Sequence, residues 1–490
     1  MVGMACMFFY FATRVVVFVS SEYSFVDSIF AFFLMIAEGH MILHTLGFAF
    51  NIFYVFDPDR RREPNYTLKG SPLVHVIVPA RHEPKAVLEK TFQMLALLRY
   101  ANKEIFLLDD SSDPVYQREA EEVAQRFGAQ LFRREPRHGA KAGIVNDFLQ
   151  HSDAKYVAVF DADQTPMPDF LEKVVPILEH DTQLAFVQTP QFYANLNNRI
   201  ARCACVQQSI FYEYICEGKS ASNAMFCCGT NVVFRSSALK SVGGFDESSV
   251  TEDFATSILI HLKGYKSLYY NHAAAFGMAP ESLLAYFKQQ TRWATGCVDV
   301  CRRIAKKFLM NPRGLTPRQW MEYFLSGSYY FIGWTFFILM LSPVLYLFFG
   351  IPRFFAYPNV YFLTFMPYIT LSLILFLSTM MDRRYSFTDI YRAVFLGFNS
   401  FPIYMRASFL GLIGKKIPFA ITDKGKTNAL PLITLWPQWT MILANVTAIF
   451  IGVVRIYYRE NPYAIGVNIF WAAYHTFVLS HIFYFNKRPV

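Results

Sequence analysis

Long uncharged runs bracket one extended polar segment in this chain. Residues 324–349, 354–381, 427–454 and 461–486 contain no Asp, Glu, Lys or Arg, and each exceeds the roughly 20 apolar residues that cross a bilayer as a helix. Two earlier runs are interrupted, residues 4–19 by Arg14 and residues 28–56 by Glu38 and His40. Both are read as spans. The first is expected to stay uncleaved, because no small-residue cleavage site follows it and a second apolar run comes at once. Six membrane helices are therefore expected. Residues 389–398 and 404–413 are amphipathic and suit the plane of the membrane interface.

From about residue 64 to 318 the pattern changes to that of an α/β domain. The run Val74-His75-Val76-Ile77-Val78-Pro79 ends in a turn and reads as a buried parallel strand. Helical spacing follows over 85–98, and a second strand over 104–108 stops at Asp109-Asp110. A helix over 115–127, a third strand near 130–133 and a fourth at 156–160 continue the alternation, the last stopping at Asp161-Ala162-Asp163. In open parallel sheets ligands bind at the carboxyl ends of the strands, so both acidic pairs stand at that edge. One Asp pair alone is ordinary turn or cap chemistry. Its recurrence at two strand ends points to a site.

Composition agrees with a membrane protein: 54% of the 490 residues are hydrophobic, 51 are Phe, and only 17% are charged. Arg60, Arg61 and Arg62 follow the second span, and Arg383, Arg384, Arg392, Arg406, Lys415, Lys416, Lys424 and Lys426 crowd the connection between the fourth and fifth. Positive charge marks the cytosolic side. This predicts a multi-pass protein with the α/β domain and both termini in the cytosol: two helices over 1–57, the domain over 64–318, and four helices with interface segments over 319–490. The net charge of +9 is then mainly an orientation signal and calls for no nucleic acid. Most of the eight cysteines fall in the cytosolic part, where thiols stay reduced, and the spacing of Cys203, Cys205, Cys216, Cys227 and Cys228 lacks the paired form of a zinc site. Asn65-Tyr66-Thr67 has the form of a glycosylation acceptor, on the wrong face for it.

The tripeptide Thr251-Glu252-Asp253, followed further on by Gln289-Gln290-Thr291-Arg292-Trp293, resembles the "TED … QxxRW" signature of processive, membrane-embedded family-2 glycosyltransferases. Ser249-Val250 before the triplet and Ala294-Thr295-Gly296 after Trp293 look more like the cellulose-synthase branch than the hyaluronan branch. The resemblance implies a cytosolic GT-A type domain inserted in an α-helical membrane protein. It also implies a UDP-sugar donor, foremost UDP-glucose, a growing polysaccharide acceptor, contact with membrane lipid and residence in the plasma membrane, with self-association left open.

The same resemblance assigns roles. Asp161 and Asp163 match a DxD motif that holds Mg²⁺ or Mn²⁺, and hard oxygen donors suit either ion. Asp109 and Asp110 match a pair that contacts uracil and ribose, and Lys141 in Gly139-Ala140-Lys141-Ala142-Gly143 lies beside the diphosphate. A sugar hydroxyl needs a base to attack the anomeric carbon, and Asp253 takes that part, with Glu252 as a neighbouring acceptor. Such in-line displacement inverts the anomeric centre. Gln289, Arg292 and Trp293 are implied on the donor and acceptor, an indole suiting the C–H face of a sugar and a guanidinium suiting pyrophosphate. Cys228 in Phe226-Cys227-Cys228-Gly229-Thr230 is implied near the terminal sugar. Thr422 and Lys424, in residues 415–426, match a gating loop that closes over the nucleotide. The sequence departs from the family at Pro79-Ala80-Arg81-His82-Glu83-Pro84, where "TYNEP" is usual, and no cyclic-di-GMP-binding domain is expected after Val490. A hyaluronan- or chitin-type synthase, or a non-processive glycolipid transferase, would share most of these residues. A transporter without chemistry would not explain the acidic motifs.

Overall fold

The computed structural model describes residues 2–55, 66–68, 70–272, 275–351, 358–383, 385–415, 429–458 and 460–487. The charges that interrupt the two N-terminal apolar runs are partners. Helices Val2–Ser20 and Phe25–Val55 pack together, and Arg14 Nε donates to Glu38 Oε2 at 2.7 Å while Tyr10 donates its hydroxyl to Oε1 at 2.8 Å. Charge inside a bilayer is tolerated when it is paired within the bundle. Tyr10 also stacks on Tyr368 of helix Pro358–Asp382, ring centres 5.3 Å apart, which ties the hairpin to the C-terminal half.

Five helices are long and apolar enough to cross a membrane: Val2–Ser20, Phe25–Val55, Pro317–Phe349, Asn359–Met381 and Leu432–Tyr457. Among the described residues five of the six expected runs meet that measure, and the sixth is a helix of spanning length. The remaining run is helical over Pro462–Phe485, but Asn468, His475 and His481 make it less apolar than the others. Asn468 and His475 are buried, where the helix packs on Ile332–Phe349, Phe387–Asn399 and Trp436–Tyr457. The two amphipathic stretches are helices Phe387–Asn399 and Phe401–Leu412.

The α/β domain carries strands β1 (Val74–Ala80), β2 (Lys103–Asp109), β3 (Gln130–Phe132), β4 (Tyr156–Val159), β5 (Thr165–Pro166), β6 (Leu184–Gln188), β7 (Gln191–Tyr193), β8 (Val232–Arg235), β9 (Lys266–Tyr269) and β10 (Ala275–Gly277). Seven form one sheet in the order β3-β2-β1-β4-β8-β6-β9. Its first four strands are parallel, as the strand and helix alternation predicts. β8 then runs antiparallel between β4 and β6, a reversal no periodicity announces, because Val232-Val233-Phe234-Arg235 is buried throughout. Helices cover both faces. Leu88, Phe92, Val123, Phe170 and Val174 pack with Val74, Val76 and Val78 on one, and Ile144, Phe148 and Leu239 pack with Ile77, Val157 and Val159 on the other. The short strands β5, β10 and β7 make a second sheet.

Contacts that join this domain to the membrane helices include the following two. Lys219, in helix Glu217–Ala221, donates from Nζ to both Oε2 and the carbonyl of Glu322 at 2.8 Å, inside the helix that begins the Pro317–Phe349 span. Helix Leu283–Met310, which carries the Gln289-to-Trp293 motif, packs along Phe401–Leu412.

Candidate active site

Both acidic pairs lie where the parallel strands end. Ala80 pairs with Asp109 across β1 and β2, and Phe160 N donates to the carbonyl of Ile77, so the residues after β2 and β4 emerge at one edge. Asp109 and Asp110 are buried and held by arginines from beyond β3: Arg133 Nε donates to Asp109 Oδ2 at 2.8 Å, and Arg134 reaches both oxygens of Asp110 at 3.3 and 3.4 Å. These arginines escaped the sequence reading, since a charged run after a short strand looks like a solvated loop.

Lys141 opens the helix Ala140–His151 and reaches across to Asp161 Oδ1 and to the carbonyl of Gly229, the latter at 2.7 Å. Burial works against its charge, but the carboxylates of Asp161 and then Glu252 outweigh it, and its pKa stands above the ordinary lysine value. Asp161 keeps a side chain that is 40% exposed, and its amide donates to Thr230 Oγ1. Asp163 acts electrostatically on Tyr193, whose hydroxyl also engages Gln289. One buried tyrosine thus links the second Asp of the strand-end pair to the distant glutamine motif.

Helix Glu252–Leu262 starts at the triplet. Thr251 is its N-cap residue without a side-chain cap bond, and Asp253 Oδ1 accepts from the amide of Phe254 at 2.7 Å. The triplet is therefore a helix start, and more than that. Burial, and next the neighbouring Glu252, push the Asp253 carboxyl up to about 7, against the opposing charges of Lys141 and Arg292. Burial raises Glu252 as well. A carboxyl poised near neutrality is suited to exchange protons at physiological pH.

Gly229 brings the loop before β8 against this carboxyl. Its φ is +82°, and a Cβ there would stand 2.9 Å from Asp253 Oδ2, closer than real side chains come. Gln188, fully buried at the end of β6, fixes the same loop: its Oε1 accepts from Cys228 N at 2.8 Å, and its Nε2 donates to the carbonyls of Thr189 and Thr230. Nothing in the sequence marks Gln188. The Cys228 thiol is driven well above its usual range by burial and by its neighbour Cys216, so it is a neutral, half-buried group at the edge of the site.

Helix Leu283–Met310 closes the site from the membrane side. Gly296 has no side chain where Thr251 Cγ2 approaches, a Cβ there falling 2.4 Å away, so this glycine lets the helix lie against the triplet. Arg292 acts on both Glu252 and Asp253, Gln290 Oε1 accepts from Tyr404 at 3.2 Å, and Trp293 is half-buried one position on. The structure thus gathers Lys141, Asp161, Asp163, Cys228, Glu252, Asp253, Gln289 and Arg292 around one sheet edge, with Asp109 and Asp110 further along it. Thr422 and Lys424 lie outside the described residues.

Residues 156–378 match the family described as glycosyl transferase family group 2. The chain is similar to the cellulose synthase catalytic subunit (UDP-forming) of Pseudomonas fluorescens strain SBW25, 26% identical over 427 residues that cover 84% of this chain and 56% of that protein. It is also similar to the probable glucomannan 4-beta-mannosyltransferase 1 of Arabidopsis thaliana, 30% identical over 275 residues that cover 53% of this chain and 49% of the plant protein. The chain therefore spans about half the length of these curated relatives. In fold it is similar to the mannosyltransferase PcManGT from Pyrobaculum calidifontis, solved in complex with GDP-Man and Mn²⁺: TM-score 0.51, 18% identity, 77% of this chain and 99% of that one covered. The motifs from Asp161 to Trp293 fall inside the matched segment, so residues 156–378 resemble a family 2 glycosyltransferase domain, and the chain that holds them, with its apolar membrane-length helices, is similar to cellulose synthase catalytic subunits.

Proposed function

We propose that the protein is a processive, inverting glycosyltransferase that builds a β-glucan from UDP-glucose at the cytosolic face of the plasma membrane and passes it across. The seating of Asp253 carries this reading. Its carboxyl stands near pKa 7, against Gly229 and across from the Lys141–Asp161 ion pair. Asp253 is the base that takes the proton of the acceptor hydroxyl, Glu252 raises its basicity by like-charge repulsion, and Lys141 and Arg292 face the diphosphate. Trp293 and Cys228 flank the acceptor end, while Asp109 and Asp110 face the nucleoside, and Gln289 steadies the wall through Tyr193. Residues 64–318 form the transferase unit between membrane segments 1–57 and 319–490. Both termini share its side if Pro462–Phe485 crosses too, and its 24 residues reach about 36 Å at 1.5 Å per residue.

Asp161 and Asp163 fit a hard divalent cation, Mg²⁺ or Mn²⁺. They offer carboxylate oxygens at a strand end, and among the described residues no group of three or more His, Cys, Asp or Glu side chains competes as a complete protein cage. Such a two-carboxylate set suits a cation that shares its shell with phosphate and water. When bound, the cation stabilises charge on the departing diphosphate. UDP release from UDP-glucose is accordingly expected to fall to background on full chelation and to return when Mg²⁺ or Mn²⁺ is added back. Activity that survives metal removal would sink this part of the reading. The relatives favour one further donor class, since one is named a mannosyltransferase and another was solved with GDP-Man. GDP-mannose therefore belongs in the donor panel beside UDP-glucose, UDP-N-acetylglucosamine and UDP-glucuronate, with linkage analysis of each product.

Translocation is supported by a line of rings leading from the acceptor side into the span. Tyr404 bonds Gln290, Tyr330 lies 5.4 Å from Tyr404, and Tyr329 lies 5.2 Å from Tyr330 and is itself 48% exposed. Such rings offer weak, repeated contacts to sugar faces. In sealed vesicles with the transferase domain outward and donor supplied outside, the product is expected to become protected from an added glycan hydrolase. Product that stays fully digestible while the vesicles remain intact would leave a membrane-bound synthase without transport.

A further inference from the structure

A second polar cavity, of about 180 Å³, lies away from the transferase site, between helix Arg199–Ile210 of the α/β domain, helix Phe387–Asn399 and the end of helix Pro462–Phe485. Its lining brings three arginines, Arg199, Arg202 and Arg392, to one carboxylate, Asp389. The Arg199 and Arg392 guanidinium groups both stand over the Tyr484 ring, 5.1 and 5.0 Å from its centre. Arg202 approaches Asp389 only to 3.8 Å, longer than a charge-assisted hydrogen bond.

We propose that this cavity binds the phosphate of an anionic lipid headgroup. Like charges drawn to one ring repel each other, and a phosphodiester placed among them would relieve that repulsion with bonds guanidinium groups make well. The volume is below the ~300–1,000 Å³ of pockets that enclose a whole small ligand, and fits a headgroup whose tails lie outside. A place for tails adjoins it. Phe387 and Val394 on one wall helix, and Phe477 and Phe483 on the other, are exposed apolar residues, and the two helices meet through Phe395 and Phe477. The cavity also sits where the α/β domain meets the end of a long helix, the level at which basic pockets take acidic headgroups. A soluble phosphate would use the same guanidinium groups but not the apolar flank.

The test uses the full-length protein in a neutral detergent, titrated with dioctanoyl phosphatidylglycerol, with dioctanoyl phosphatidylcholine and with glycerol phosphate. Thermal unfolding and native mass spectrometry supply the readings, neither of which depends on sugar transfer. Phosphatidylglycerol is expected to raise the melting temperature and to remain bound at one copy per chain. Arg199→Gln with Arg392→Gln should weaken it about tenfold or more, the effect of losing at least one charge-assisted bond. Asp389→Asn, which removes the carboxylate facing the same space, should tighten it, so the proposal does not rest on a variant that lowers stability. Phosphatidylcholine binding as well as phosphatidylglycerol would overturn the proposal, as would affinity unchanged in both the arginine and the Asp389 variants. Glycerol phosphate matching phosphatidylglycerol would overturn the lipid assignment and make the cavity a site for soluble phosphate.

Discussion

Asp253→Asn is expected to reduce sugar transfer by about 10²–10⁴-fold, the usual contribution of a general base, while UDP affinity stays close to that of the unaltered protein. Asn has the same shape and can still accept from the amide of Phe254, so helix Glu252–Leu262 keeps its start. What disappears is a carboxylate that burial and Glu252 raise to about 7. A base must be deprotonated to act, so transfer by the unaltered protein should climb as pH rises through about 7 and level off above it. Because Glu252 and Asp253 titrate as a pair, the midpoint belongs to both. The variant should lose that ascending limb along with the rate. The measurements are UDP binding by calorimetry and turnover across the neutral pH range. Near-normal turnover with an unchanged pH profile would reduce Asp253 to a helix-start residue.

The sequence made the linear features of this site readable. Strand β1 and the acids after β2 and β4 follow from runs of β-branched and apolar residues that end in polar ones, and those runs lie where expected. Charges in the apolar runs were visible too, but Arg14 and Glu38 are distant in sequence, and only packing shows that each answers the other. Two misses at the site share this cause. Gln188 and Tyr193 have unremarkable neighbours, and become part of the site because β6 and β7 carry them beneath the Cys227-to-Asn231 loop and beside Gln289. The antiparallel β8 was hidden because a strand buried on both faces has no alternation to read.

Lys219→Ala is expected to destabilise the folded protein by about 3–5 kcal/mol, the usual cost of leaving half of a buried ion pair behind. The lysine and Glu322 side chains are 3% and 0% exposed, so water cannot take the place of the missing ammonium. The bond also spans the joint between the α/β domain and the Pro317–Phe349 segment, beside the place where the Arg318 guanidinium stacks 3.9 Å over Tyr54 of helix Phe25–Val55. Since membrane proteins of this size seldom unfold reversibly, the quantity to measure is the inactivation half-life or melting temperature in detergent. Replacing both partners, Lys219→Met with Glu322→Leu, should recover most of the loss, because no uncompensated charge remains and apolar groups can fill the same volume. Activity should fall further than stability alone requires in the single variant. Lys219 Nζ lies 5.8 Å from the Phe226 ring, and Phe226 packs at 4.7 Å on Phe254, the residue beside Asp253, so a shift at the joint reaches Asp253 through two ring contacts. A single variant as stable and as active as the unaltered protein would show that the pair neither holds the joint nor steadies the base.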